Sequence, residues 1–377
     1  MRIITFLGRR LKRAPAAGSD QPGSGQHRAE DAHHQSSEPL APCSDDMRGA
    51  KPAMNSDYQS RSLAAQDRKT STHHNSSQTE GPEKALNPAA FEPHVFGSSP
   101  LAAKSLWVLP VEPAVSGITA DQASLGDLDV RAVSIVGAGH RCKEPATPRQ
   151  DSYQLGRDRA GRYLIIAVAD GMSDSRRSDL GARVAARCAV DTLRAHLDGG
   201  ADPTAEAMTE AFNASAGAMV AVAKREGLSD MDVRCALIVA IIPAAPDAAS
   251  SGRHAWFATL ADVSAWLRHS NGWHQLAGDQ KNGGLDSNVL HNFLPYHPER
   301  AVAVSRYLEP GATVAVVTDG VGDAFTDVPH AAQWFAQRWK TPVPLESFLL
   351  DVGFHARGQL DDRTSVTVWC RDGARSR

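Results

Sequence analysis

The stretch RYLIIAVADGMSDS, Arg162–Ser175, decides how this chain reads. Tyr163 to Ala169 is an unbroken apolar run, too short for a core helix and rich in branched side chains, so it reads as a buried β-strand. It leaves the core on Asp170-Gly171. A hydrophobic strand that ends on a carboxylate needs a reason, and the same ending recurs at Thr318-Asp319-Gly320, after the apolar run Ala312–Val317.

Working outward, further segments read as strands: 130–137, 233–243, 254–262, 264–269, 312–320 and 363–370, each rich in Val, Ile, Thr and aromatics. Two longer segments have helical spacing. Ser178 to Leu197 puts Leu180, Val184, Cys188 and Leu193 on one face, with Ser178 as the expected N-cap. Pro203 to Glu226 puts Met208, Phe212, Ser215, Met219 and Val222 on one stripe, between Asp202-Pro203 and Gly227. Two more helices are expected near His330–Lys340 and Leu345–Phe354. The order is strands, two helices, many strands, two helices, one strand. That is no regular βα alternation; it predicts an α+β fold of packed antiparallel sheets with helices outside.

The chain has 377 residues, 42% hydrophobic and 22% charged, enough for a sizeable core. A net charge of -3 gives no electrostatic reason to expect nucleic acid or an anionic membrane as partner. The five cysteines lack metal-site or disulfide-framework spacing, which fits a reducing, cytoplasmic setting. No run approaches the roughly 20 apolar residues of a transmembrane helix. From about Gly18 to Ser99 the chain is polar and without period, so it is expected to be disordered. The expected domains are therefore a disordered N-terminal region, 1–125, and a folded domain, 126–372.

Four carboxylates ask for one explanation. Asp151 precedes a strand in Arg149-Gln150-Asp151-Ser152, Asp170 and Asp319 follow strands, and Asp362 precedes the last strand in Asp361-Asp362-Arg363-Thr364. Gathered in one pocket they repel one another unless a cation compensates. An all-oxygen donor set selects hard ions such as Mg²⁺ or Mn²⁺. Gly171 leaves its carbonyl open to such an ion.

The series PRQDSY, VADGMSDS, SDLGAR, TDGVGDAF and DDRTSVTVW, in this order, resembles the metal-dependent protein phosphatases of type 2C. It is most similar to a bacterial branch opening GxxH…PxQDS, here Gly137 to His140 and Pro148 to Ser152. The resemblance covers about Arg131 to Cys370. It implies an α-β-β-α sandwich of two antiparallel sheets flanked by helices. It implies two Mg²⁺ or Mn²⁺ ions, with Asp170 bridging both, the Gly171 carbonyl on one, Asp319 and Asp362 holding one and Asp151 supporting the other. Asp170 and Asp319 are thus the central catalytic residues, and a hydroxide shared by the ions attacks phosphorus. Asp230 and Asp232 are candidates for a third-ion ligand, Asp232 being preferred, with a solvated loop carboxylate as the alternative. Arg141, Arg149 and His140 are the candidate phosphate binders. Three positions depart from the family: Met172 where many eukaryotic members carry a histidine, Val233-Arg234-Cys235-Ala236 for Gly-Thr-Thr, and Ala261-Asp262-Val263-Ser264 for Gly-Asp-Ser, read as a structural turn. Residues 283–295 are expected to form a variable flap. The implied function is hydrolysis of phosphoserine and phosphothreonine in proteins, opposing a cognate Ser/Thr kinase. The competing reading is a degenerate phosphatase that binds phosphoproteins or scaffolds a kinase.

Overall fold

The computed structural model describes residues 92–98, 107–278 and 292–371. Residues 1–91, within the expected disordered region, lie outside the described residues, as does most of the expected flap. In chain order the strands are β1 (Val95–Phe96), β2 (Ile118–Leu125), β3 (Leu128–Ile135), β4 (Ser152–Arg157), β5 (Tyr163–Gly171), β6 (Cys235–Pro243), β7 (Arg253–Leu260), β8 (Ser264–His269), β9 (Gly272–Ala277), β10 (Val302–Leu308), β11 (Thr313–Val317), β12 (His355–Ala356) and β13 (Arg363–Cys370). The helices are α1 (Ala138–Arg141), α2 (Ser178–Asp198), α3 (Ala205–Arg225), α4 (Asp319–Asp327), α5 (Ala331–Arg338) and α6 (Leu345–Val352).

Two antiparallel sheets carry the fold, in the orders β10-β7-β6-β5-β4 and β2-β3-β13-β11-β8-β9. Side chains alternate along a strand, and here both faces of the central strands are covered, which is why these strands read as continuous apolar runs. Leu164, Ile166 and Val168 of β5 meet Val314, Val316, Val366 and Val368 of the other sheet in an inner layer. Ile165, Ala167 and Ala169 face outward onto Ala182, Ala185, Leu193, Met208 and Phe212 of α2 and α3. On the far side, Val133, Ala315 and Val317 pack under Val321, Phe335 and Phe348 of α4, α5 and α6. The result is the four-layer α-β-β-α sandwich, with α2 and α3 outside one sheet and α4, α5 and α6 outside the other.

Several details differ from the sequence reading. The six-stranded sheet begins at Ile118, ahead of the expected boundary at 126. β2, β9 and β10 were not expected: each is only half covered, so its apolar signal is weak. Asp319 does not end a strand. β11 stops at Val317, and Asp319 opens α4, where a carboxylate complements the helix dipole. Arg177 rather than Ser178 occupies the N-cap of α2. Thr204 caps α3, its hydroxyl accepting from the Ala207 N–H at 3.2 Å.

Ile166 is fully buried between the sheets. Ile166→Ala is expected to cost about 2–5 kcal/mol through lost burial and an unfilled cavity. Val111→Ala, at a side chain 85% exposed, is expected to stay within about 0.5 kcal/mol. Chemical denaturation of the two variants checks the contrast.

Candidate functional site

The alternation along β5 places the site. Asp170 is in phase with Leu164, Ile166 and Val168, so its carboxylate leaves the strand on the face that looks across at the second sheet. It does so where the inner apolar layer runs out. The neighbouring strands bring their own acids to the same end. Asp262 lies in the β7–β8 turn, Asp319 follows β11, and Asp361 and Asp362 precede β13. A cavity of about 500 Å³ opens there, with Asp170, Gly171, Asp262, Asp319 and Asp361 on its wall. Arg234 and Phe293 also line it.

Asp151 sits behind this wall, just before β4, and is 3% exposed. Its Oδ2 accepts from the hydroxyls of Thr318 at 2.8 Å and Thr364 at 2.7 Å. Its Oδ1 is buried with no hydrogen-bond partner among the described residues. Burial, then the charge of Asp362, hold the Asp151 carboxyl well above the usual carboxylate range. Asp170 is raised well above that range too, first by burial and then by the charges of Asp151, Asp319, Asp262 and Asp361. The Thr364 and Thr318 hydroxyls offset only part of this rise at Asp151. An orphaned buried oxygen and an all-oxygen donor set fit a hard divalent cation, and the uncompensated charge asks for one.

The Asp361-Asp362 pair divides its labour, and the structure does not bring Asp362 to the cavity. Asp362 is 2% exposed. Its Oδ1 accepts from the Gly137 N–H at 2.6 Å and contacts His140 Nδ1 at 2.8 Å, while its Oδ2 accepts from the Gln150 and Asp151 N–H groups. Those bonds fill the oxygens that were assigned to an ion. Asp362 is a staple that fixes the loop before β4 against the loop before β13. Asp361 takes the cavity position instead, with a side chain 49% exposed. The staple requires close approach. A Cβ on Gly137 would collide with the backbone of Leu360 and Asp361, and one on Gly320 with the carbonyl of Asp362.

The expected phosphate binders are also committed elsewhere. Arg149 Nε donates to the Ser116 carbonyl at 3.1 Å, and its Nη1 donates to Ser134 Oγ and to the Asp151 carbonyl. Arg141 is buried and reaches toward the Val108 carbonyl. His140 is bound to Asp362. Burial lowers its affinity for a proton, but the Asp362 bond and the charges of Asp362 and Asp361 outweigh that, so its pKa is raised. Asp232 is half-buried, and its Oδ2 accepts from the Ser229 N–H at 2.9 Å and the Ser229 hydroxyl at 2.7 Å, closing a capping box on the 3-10 turn Asp230–Val233. It does not line the cavity. Asp262 does, contrary to its reading as a structural turn. Ala261 beside it is left-handed, at φ 71°, where glycine is the strain-free residue. Asp262 was legible only through strand direction: the β7–β8 turn falls at the same end of the sandwich as Asp170.

Residues 136–346 match the family model of protein phosphatase 2C. The chain belongs to that family. Among solved structures, it is similar to the catalytic domain of the serine/threonine protein phosphatase PstP in complex with two manganese ions, with 19% identity, a TM-score of 0.45, and 65% of this chain and 99% of that one covered. PppA from Pseudomonas aeruginosa gives 18%, 0.45, 65% and 99%, and RsbX in complex with magnesium gives 13%, 0.43, 67% and 99%. No curated protein matches the chain. The phosphatase family thus supplies the frame in which these acids stand.

Two outcomes are expected. Asp362→Ala strands several buried N–H donors and should destabilise the fold by about 3 kcal/mol or more. Asp361→Ala should leave stability within about 1 kcal/mol and weaken Mn²⁺ binding; denaturation and calorimetry separate the two. The second concerns pH. Carboxyl groups raised in the folded state, and a raised His140, stabilise the fold below their unfolded pKa values and lose that contribution as pH rises through the folded ones. The metal-free protein should therefore melt higher at roughly pH 5.5 than at roughly pH 7.5, and Mn²⁺ should flatten or reverse the difference.

Proposed function

We propose that the chain is a Mg²⁺- or Mn²⁺-dependent protein serine/threonine phosphatase. The observation that carries the reading is the convergence of Asp170, Asp319 and Asp361 on one cavity, with Asp151 buried behind them and one of its oxygens unpartnered. In this reading Asp170 and the Gly171 carbonyl would hold two ions. Asp319 and Asp361 hold the same end, and Asp151 supports from beneath, steered by Thr318 and Thr364. When bound, the ions supply Lewis acidity that makes water acidic enough to attack near neutral pH and that offsets charge on the phosphoryl oxygens.

The chain's own residues do the rest. The Thr318 and Thr364 hydroxyls fix the Asp151 rotamer, which keeps its free oxygen aimed away from both donors. Asp362 holds the loops in register but touches no reacting atom in this scheme. Met172, next to Gly171 on the cavity wall, has no proton to give, so the leaving serine or threonine oxygen takes its proton from solvent. A phosphoprotein substrate and a cognate kinase belong to the same proposal. So does a cytoplasmic setting.

The test is phosphate release from a phosphothreonine peptide with and without Mn²⁺, wild type beside Asp170→Ala. Metal-dependent release that falls by roughly a thousandfold in the variant is expected, the several kcal/mol that metal catalysis supplies. A folded wild type that releases no phosphate with either ion contradicts the proposal.

A further inference from the structure

One cation faces the acids across the cavity. Arg234 stands between the 3-10 turn and β6, and its backbone carbonyl accepts from the Met172 N–H at 3.1 Å. That bond fixes it beside the Asp170-Gly171 end of β5. Its side chain is only 9% exposed, yet it lines the cavity.

The guanidinium is held on one side only. Nε donates to Ser175 Oγ at 2.9 Å and to the Met231 carbonyl at 3.0 Å. Its carbon lies 5.4 Å from the centre of the Phe293 ring. These contacts fix the plane of the fork. Nη2 meets Asp174 Oδ1 at 2.8 Å and donates to the Asp174 carbonyl at 3.4 Å. The ion pair is lopsided: Arg234 is fixed and nearly buried, while the Asp174 side chain is 70% exposed. A carboxylate so exposed gives up its partner at little cost, because water takes over its solvation. A phosphoryl group offers more oxygens and more charge than one carboxylate, in a geometry that a guanidinium fork matches.

We propose that Arg234 receives the substrate's phosphoryl group, and that Asp174 is its resident counter-ion, displaced when a phosphomonoester enters. The assignment rests on the phosphatase reading of the cavity. It gives to Arg234 the role that Arg141 and Arg149 cannot fill while their guanidinium groups hold the Val108, Ser116 and Asp151 carbonyls. It also places a positive charge opposite a wall that otherwise repels phosphate. Asp174 then tunes affinity by competing intramolecularly with substrate.

The experiment uses the full chain with Mn²⁺ and reads two quantities: the affinity for inorganic phosphate by calorimetry, and kcat and KM on a phosphothreonine peptide. Arg234→Ala should weaken phosphate binding and raise KM by about tenfold or more, the loss of a charge-assisted fork, with a smaller change in kcat. Arg234→Lys, which keeps the charge and loses the fork, should weaken both by about threefold. Asp174→Asn should tighten phosphate binding by about threefold. Phosphate affinity and KM within twofold of wild type in Arg234→Lys and Asp174→Asn would overturn the proposal, even if Arg234→Ala fails to fold. A wild type that neither binds phosphate nor turns over peptide would instead remove the phosphatase reading beneath it. Normal wild-type turnover with unmoved variants would leave that reading standing and remove only the role of Arg234.

Discussion

The structure turns on carboxylates gathered where a hydrophobic sandwich opens. Burial raises the Asp170 and Asp151 carboxyls well above the usual carboxylate range, helped by the charge of Asp362 at Asp151 and by those of Asp151, Asp319, Asp262 and Asp361 at Asp170. Such a cluster is unfavourable to folding on its own. The layers behind it are fully covered, and in the proposed function a divalent cation would convert the repulsion into binding energy.

The surrounding residues show how the repulsion is managed. Asp362 lies next in sequence to Asp361, yet its carboxylate oxygens accept from the backbone N–H groups of Gly137, Gln150 and Asp151. Glycines 137 and 320 let the two loops approach within a distance that any Cβ would forbid. Thr318 and Thr364 hold one oxygen of Asp151 and leave the other available. These groups touch no substrate in the proposed mechanism; they determine where the metal-facing acids point. Arg234 adds the opposite charge on the far wall, with an exposed aspartate that shields it until an anion arrives.

Much of this was legible in the sequence, for physical reasons that differ between elements. β5, β6 and β13 are covered on both faces, so their apolar runs stand out. The long amphipathic helices α2 and α3 declared themselves by spacing. β2 and β10 carry polar residues on an exposed face, and their signal is lost against the loops. At the site, strand ends pointed to Asp151, Asp170 and Asp319. The choice within Asp361-Asp362 depended on which side chain met the loop at Gly137, a contact between residues distant in sequence. Composition and spacing hold no trace of it. The same holds for the arginines, whose type suggests phosphate while only the fold shows which guanidinium is already spent.

The central claim, that a bound cation takes the place of protons on the raised Asp151 and Asp170 carboxyls, is tested most directly by counting protons. Calorimetric titration of Mn²⁺ into metal-free protein near pH 6, repeated in buffers of different ionisation enthalpy, gives the number released per ion bound. The account predicts Mn²⁺ binding with net proton release, diminished in Asp170→Asn. Binding without proton release, or no binding to a folded chain, would contradict it.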